Sequence, residues 1–96
     1  MKQSRINELK PLRKAVEAIH EAQAEDYLSR CLAVKYADQG YIEMARLWQA
    51  RKREATSQFC EDWLRIYGFP YDLDHRRECE GRIPKAEFNY LKTGLC

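Results

Sequence analysis

The sequence contains one pair of residues with the spacing of a metal site. His75 and Cys79 are four positions apart, so on a helix they would share a face and could supply two ligands. The remaining cysteines, Cys31, Cys60 and Cys96, stand singly, whereas structural zinc sites bring ligands in close pairs at both ends. We therefore predict that the protein holds no metal and no other cofactor.

Nucleophilic catalysis by a cysteine is the second chemistry to consider. A catalytic thiol needs a base nearby, and His20 would face Phe59, next to Cys60, if the chain folds as a hairpin. The simpler interpretation is a partly buried histidine among aromatic rings. Serine elbows, phosphate-binding glycine loops and zinc-protease helices are missing from the sequence. We predict no catalytic residues, and hence that the protein is not an enzyme.

A basic cluster gives nucleic-acid binding as an alternative function. Binding phosphates requires several cations that converge on one face. The overall balance is only +2, from 17 basic and 15 acidic residues, and consecutive positions point around a helix. The residues that would carry this alternative are Arg46, Arg51, Lys52 and Arg53.

The densest aromatic and basic stretch outside the helical pattern predicts a protein-binding surface. Interface centres favour Tyr, Trp and Arg, and 11% of the residues here are aromatic, more than the seam of one helix pair can bury. The alternative interpretation is that these aromatics cover the domain's own core, because a small domain needs every large residue it has. The predicted partner-binding residues are Phe69, Pro70, Tyr71, Arg76 and Arg77.

Length and composition limit the kind of domain that could position such residues. At 96 residues, with 45% hydrophobic and 33% charged residues, the chain is one small globular domain, residues 1–96. Four Gly and three Pro are too few for a turn-rich all-β fold. The sequence contains no apolar run of roughly 20 residues and does not open with a signal-peptide pattern. We expect a cytoplasmic protein with reduced thiols that does not enter a membrane.

The positions of Gly and Pro predict an all-α fold built on an antiparallel hairpin of two long helices. Pro11 fits a first helical turn, and Gly40 fits the end of that helix. A second stretch without Gly or Pro runs to Gly68 and Pro70, which together stop a helix. The prediction is an N-terminal arm over 1–11, a hairpin over 12–67 and a smaller helical C-terminal segment over 68–96 packed against it.

A turn at Gln39 and Gly40 also predicts the register of the hairpin. Facing residues would then have numbers that sum to about 79, and large side chains would meet small ones along the seam. The predicted pairs are Val34 with Ala45, Cys31 with Trp48, Ala24 with Ala55, His20 with Phe59, and Val16 with Trp63.

The C-terminal segment contains signals for two short helices. Asp72 or Asp74 could cap a helix over 73–80 that Gly81 closes. Pro84 suits the first turn of a last helix over 85–93, which Gly94 would end.

As a whole chain, the sequence resembles the short accessory proteins of temperate bacteriophages that act by binding a host enzyme. It is similar among these to the proteins that modify the host RecBCD recombination nuclease. The likeness lies in the size, the all-helical plan, the free cysteines and the corner Tyr67-Gly68-Phe69-Pro70-Tyr71. It implies a non-catalytic protein that binds and modulates a DNA-processing complex in the host cytoplasm. A homodimer is a further alternative for the partner.

Overall fold

The computed structural model describes residues 1–95 and contains four α-helices. The helices are α1 (Gln3–Tyr36), α2 (Gln39–Tyr67), α3 (Arg76–Gly81) and α4 (Lys85–Thr93), with a 3₁₀ turn at Leu73–His75 before α3. Helices α1 and α2 pack antiparallel as a hairpin, and α4 lies against α1. The prediction of an all-α hairpin with a smaller helical C-terminal segment is confirmed.

The connection between the two long helices is very short. Ala37 adopts a left-handed conformation with a φ of 49°, and the Asp38 side chain accepts a hydrogen bond of 2.8 Å from the Gly40 backbone N–H. Asp38 is therefore the N-cap of α2, and Gly40 lies inside that helix. The turn comes about two residues earlier than the sequence predicted.

The predicted helix start at Pro11 is wrong, because α1 begins at Gln3 and Pro11 lies in its interior. A proline there lacks the N–H that would bond the carbonyl of Asn7. Leu9 and Leu12, on either side of Pro11, are both fully buried. Their burial, at roughly 1.5–3 kcal/mol each, offsets the cost of the missing hydrogen bond.

The core lies at the end of the hairpin far from the turn, where α1, α2 and the C-terminal segment meet. Each buried core residue lies on the inward face of its own element. They are Leu9, Leu12 and Ala15 of α1, Phe59 and Trp63 of α2, Cys79 and Ile83, and Tyr90 and Leu91 of α4.

The predicted buried face is correct for α2 and wrong for most of α1, where Val16 is the one predicted seam residue that packs against the core. Ala45, Phe59 and Trp63 are buried as predicted, but Val34 is 86% exposed. His20, Ala24 and Cys31 are exposed as well. The seam of α1 instead contains the buried residues Leu12, Ala15, Ala22 and Ser29. A hydrogen bond of 3.4 Å from Gln49 to Asp26 joins residues whose numbers sum to 75, which agrees with the earlier turn.

The observed register predicts which engineered cysteines will form a disulfide. Ser29 and Ala45 are 2% and 5% exposed and lie at nearly facing positions, so closely packed helices bring them near disulfide distance. In a background with the native cysteines replaced by Ser, we expect Ser29→Cys with Ala45→Cys to cross-link under mild oxidation, scored by gel mobility. The matched control is Ala24→Cys with Ala55→Cys, which should stay reduced. Preferential cross-linking of the control pair would contradict this register.

Candidate functional site

The aromatic residues of the predicted partner-binding surface pack inward. The rings of Phe69 and Tyr71 meet that of Trp63 nearly edge-on, at centroid distances of 5.8 and 4.9 Å. The guanidinium of Arg82 lies 4.0 Å from the centroid of the Phe69 ring. Phe69 and Tyr71 are half-buried, so they cover the domain's own core, which was the alternative interpretation of this stretch.

The other residues of the predicted partner-binding surface are exposed, but the aromatic residues do not connect them into one patch. Pro70, Arg76 and Arg77 are exposed, and Arg76 donates to the Leu73 carbonyl at 3.2 Å. The Tyr71 hydroxyl donates to Glu80 at 3.0 Å. Burial and this nearby carboxylate raise the pKa of Tyr71 above its ordinary value.

A groove of about 390 Å³ separates the hairpin from the C-terminal segment. Its floor is apolar, and side chains of α1, α2, the aromatic corner and α4 line it. The floor residues include Val16, Ile19, Phe59, Trp63, Phe88 and Leu91. The polar residues at the groove include His20, Lys52, Arg76, Glu80 and Lys92. Two residues that the sequence assigned to different functions line the groove together. Lys52 belongs to the nucleic-acid alternative, and Arg76 belongs to the predicted partner-binding surface.

The three consecutive cations of the nucleic-acid alternative lie in different surroundings. The Arg51 guanidinium lies 4.6 Å from the centroid of the Trp48 ring, while Lys52 is half-buried at the groove. Arg53 lines a separate shallow depression together with Glu54 and Glu61. Such a set does not converge on one phosphate-binding face.

The residues that could have bound a metal have other partners. His75 Nδ1 lies 2.8 Å from Asp72 Oδ2, and this hydrogen bond lowers the pKa of the Asp72 carboxyl. The buried Cys79 Sγ accepts from the Asp72 backbone N–H at 3.3 Å. Within residues 1–95, no three His, Cys, Asp or Glu side chains gather in a way that could hold a metal ion. Cys96 lies outside the described residues.

The thiol considered for catalysis is in an environment that favours its neutral form. Cys60 is partly buried, and burial raises its pKa, with the charge of Arg76 opposing that shift. Because the thiolate is the nucleophile, this shift lowers the reactivity of Cys60. His20, which the predicted register placed against Phe59, is exposed on α1.

A partly buried polar network, which the sequence did not reveal, connects residues near the two ends of the chain. Arg5 makes two hydrogen bonds to Glu87, at 3.0 and 3.1 Å, and the Tyr67 hydroxyl donates to Glu87 at 2.8 Å. Burial alone would raise the pKa of Glu87, but the hydrogen bonds from Arg5 and Tyr67 outweigh it, and the pKa is lowered. Burial and the Glu87 carboxylate raise the pKa of Tyr67.

A second long-range contact fixes the end of α4 on α1. Arg13 Nη1 donates to the carbonyls of Leu91 and Lys92, at 2.8 and 3.0 Å. These carbonyls lie in the last turn of α4, where they have no intrahelical partner. Together with Arg5 and Glu87, this contact holds the wall of the groove that α4 provides.

Most of the exposed large apolar side chains of residues 1–95 lie on the half of the hairpin near the turn. Eleven large hydrophobic residues among residues 1–95 are exposed, and seven of them fall between positions 27 and 47. We call these seven the turn-proximal surface: Tyr27, Leu28, Val34, Tyr36, Ile42, Met44 and Leu47. Its most exposed members are Val34 at 86% and Tyr27 at 72%. Exposed apolar residues scattered singly are normal on protein surfaces, whereas contiguous exposed apolar area is typical of interaction sites.

The structure therefore defines a small α-helical hairpin with an apolar turn-proximal surface and a groove with a basic rim. No family model, curated protein or solved structure matches the chain. No helix within residues 1–95 is both long and apolar enough to cross a membrane.

Proposed function

We propose that this protein is a non-enzymatic protein-interaction module that binds its partner through the turn-proximal surface. The observation that carries the proposal is the concentration of seven exposed apolar side chains on both helices of one half of the hairpin. Leaving these side chains in water forgoes roughly 25 cal/mol for each Å² of apolar area. A protein partner that covers them would recover that free energy.

Protein binding fits this surface better than nucleic-acid binding does. Phosphate contacts need converging cations. Arg51 lies over the Trp48 ring, Lys52 lines the groove, and Arg53 lines a separate depression. The turn-proximal surface is aromatic and aliphatic, and Tyr and Met are among the residues enriched at protein interfaces.

We further propose that the partner is a bacterial DNA-processing complex of the RecBCD type, which the protein modulates in the host cytoplasm. The support for this partner is the whole-chain resemblance to accessory proteins of temperate bacteriophages. The long hairpin is compatible with that role, because it presents the apolar surface at one end, away from the core. This function requires no cofactor of the protein's own.

The proposal is tested by binding to purified RecBCD. We expect Val34→Glu with Leu47→Glu to weaken binding at least about tenfold, because each change places a charge in a desolvated contact. Both side chains are exposed, so the helical circular dichroism signal and the melting temperature should not change. Biolayer interferometry with immobilised RecBCD, before and after nuclease treatment, gives the affinity.

The control variant is Leu64→Glu, which alters a residue of α2 that is 49% exposed but outside the turn-proximal surface. It should bind as the unaltered protein does. RecBCD binding that the double variant leaves intact, or that nuclease treatment abolishes, would overturn the proposal. Light scattering that shows a dimer dissociated by Val34→Glu with Leu47→Glu would assign the surface to a second copy instead.

A further inference from the structure

We propose that the groove between the hairpin and the C-terminal segment is a second binding site, which accepts a short peptide segment with one large apolar side chain flanked by carboxylates. This site lies on a different surface from the turn-proximal one and goes beyond the function proposed above. Its walls come from all four helices and from the segment between α2 and α3.

The floor of the groove determines the apolar part of the ligand. Ile19 of α1, Phe59 of α2 and Leu91 of α4 converge there and offer no charged group. A volume of about 390 Å³ is near the lower end of the roughly 300–1,000 Å³ typical of ligand sites. It has room for one or two side chains, and a peptide segment would therefore insert an anchor and lie across the opening.

The rim determines the charge of the ligand. Lys52, Arg76 and Lys92 stand around the opening, and none of them is within salt-bridge distance of a carboxylate in residues 1–95. The single acidic residue at the groove, Glu80, already accepts a hydrogen bond from Tyr71. Three cations that have no carboxylate partner within residues 1–95, beside an apolar floor, are complementary to carboxylates next to an apolar anchor.

Single-stranded nucleic acid is the less suitable ligand because three of the four Phe, Trp and Tyr rings at the groove pack against one another. Base stacking needs open aromatic faces, but Trp63 is 1% exposed and Phe59 is 8% exposed. Tyr71 packs edge-on against both of these rings, at 4.9 Å in each case. An aliphatic or aromatic side chain of a peptide needs only the apolar floor.

The test uses a displayed library of random twelve-residue peptides selected on the full-length protein. We expect the enriched peptides to share one Leu, Phe or Trp with Asp or Glu within two positions. Fluorescence anisotropy of the best labelled peptide should show at least a tenfold weaker affinity for Lys52→Glu with Arg76→Glu and Lys92→Glu. Arg76→Glu with Lys92→Glu, which changes exposed residues only, serves if the triple variant does not fold.

A charge-matched control keeps the outcome specific to the groove. Lys10→Glu with Lys14→Glu and Arg46→Glu alters three exposed cations outside it and should leave peptide affinity unchanged. Val34→Glu with Leu47→Glu should also keep peptide binding, so this test can fail independently of RecBCD binding. Enriched peptides without acidic residues, or peptide binding insensitive to the groove variants, would overturn the proposal. Oligothymidine that binds and is lost in the groove variants, with no peptide enriched, would assign the groove to nucleic acid.

Discussion

Replacing Trp63 by alanine is expected to lower the free energy of unfolding by about 3–5 kcal/mol, the usual cost of truncating a large buried aromatic side chain. Trp63 is 1% exposed. The ring centroids of Phe59, Tyr67 and Tyr71 lie 5.7, 4.6 and 4.9 Å from that of Trp63. Truncation to alanine would leave a cavity among these rings, which belong to α2 and to the segment that follows it. Urea unfolding followed by far-ultraviolet circular dichroism measures the loss.

Two further variants distinguish the loss of Trp63 packing from the loss of its indole N–H and from the truncation of a less buried tryptophan. Its Nε1–H is buried with no acceptor among residues 1–95, so Trp63→Phe removes an unsatisfied donor and should cost clearly less than Trp63→Ala. Trp48→Ala, which truncates a half-buried residue near the turn, should cost less than about 2 kcal/mol. A loss below about 1 kcal/mol for Trp63→Ala would contradict the observed core.

The fold class and the buried face of α2 could be predicted from the sequence because α2 has one apolar stripe. Its spacings are three, four or seven residues, and three of its members, Ala45, Phe59 and Trp63, are buried. The stripe consists of Tyr41, Ala45, Trp48, Ala55, Phe59, Trp63 and Ile66. Gly68 ends the helix as expected, with a φ of 78° that favours glycine. The apolar spacing and the helix-ending glycine were sufficient to predict α2, because only one face of this helix satisfied that spacing.

The face of α1 could not be predicted because α1 carries two stripes with helical spacing. The stripe through Ala15, Ala22 and Ser29 faces α2. The stripe through His20, Cys31 and Val34 faces solvent, although its large and small residues also matched those of α2. The position of the turn, two residues earlier than predicted, determines which of the two stripes faces α2. The same error hid the turn-proximal surface, because Val34 was assigned to the seam.

The contacts between α1 and α4 could not be predicted, because no local sequence pattern indicates them. Arg5 and Glu87 are 82 residues apart, and Arg13 meets the end of α4 across 78 residues. These contacts hold α4 against α1. The sequence left open whether Phe69 binds a partner or covers the core, and it carries no local signal for the packing of the Phe69 ring against Trp63 and Arg82.

Removing the carboxylate of Glu87 is expected to destabilise the protein by about 2–3 kcal/mol at neutral pH. Truncating one partner of a fully buried ion pair costs roughly 3–5 kcal/mol, and the side chain of Arg5 is 30% exposed, which reduces that cost. Glu87→Ala would leave the Arg5 guanidinium and the Tyr67 hydroxyl without their shared acceptor. The measurement is urea unfolding at pH 7. The control is Glu8→Gln, which removes the 60% exposed partner of Arg5 and should cost less than about 1 kcal/mol.

The same carboxylate should make stability depend on pH on the acid side. The hydrogen bonds from Arg5 and Tyr67 hold the pKa of Glu87 below its ordinary value despite burial. The unfolded chain therefore takes up a proton before the folded one does, and stability falls as the pH drops below the ordinary glutamate pKa. Glu87→Gln cannot titrate, so its melting temperature should fall less steeply than that of the unaltered protein below about pH 4.5. Parallel acid limbs for the two proteins would mean that Glu87 does not contribute as an ionised acceptor.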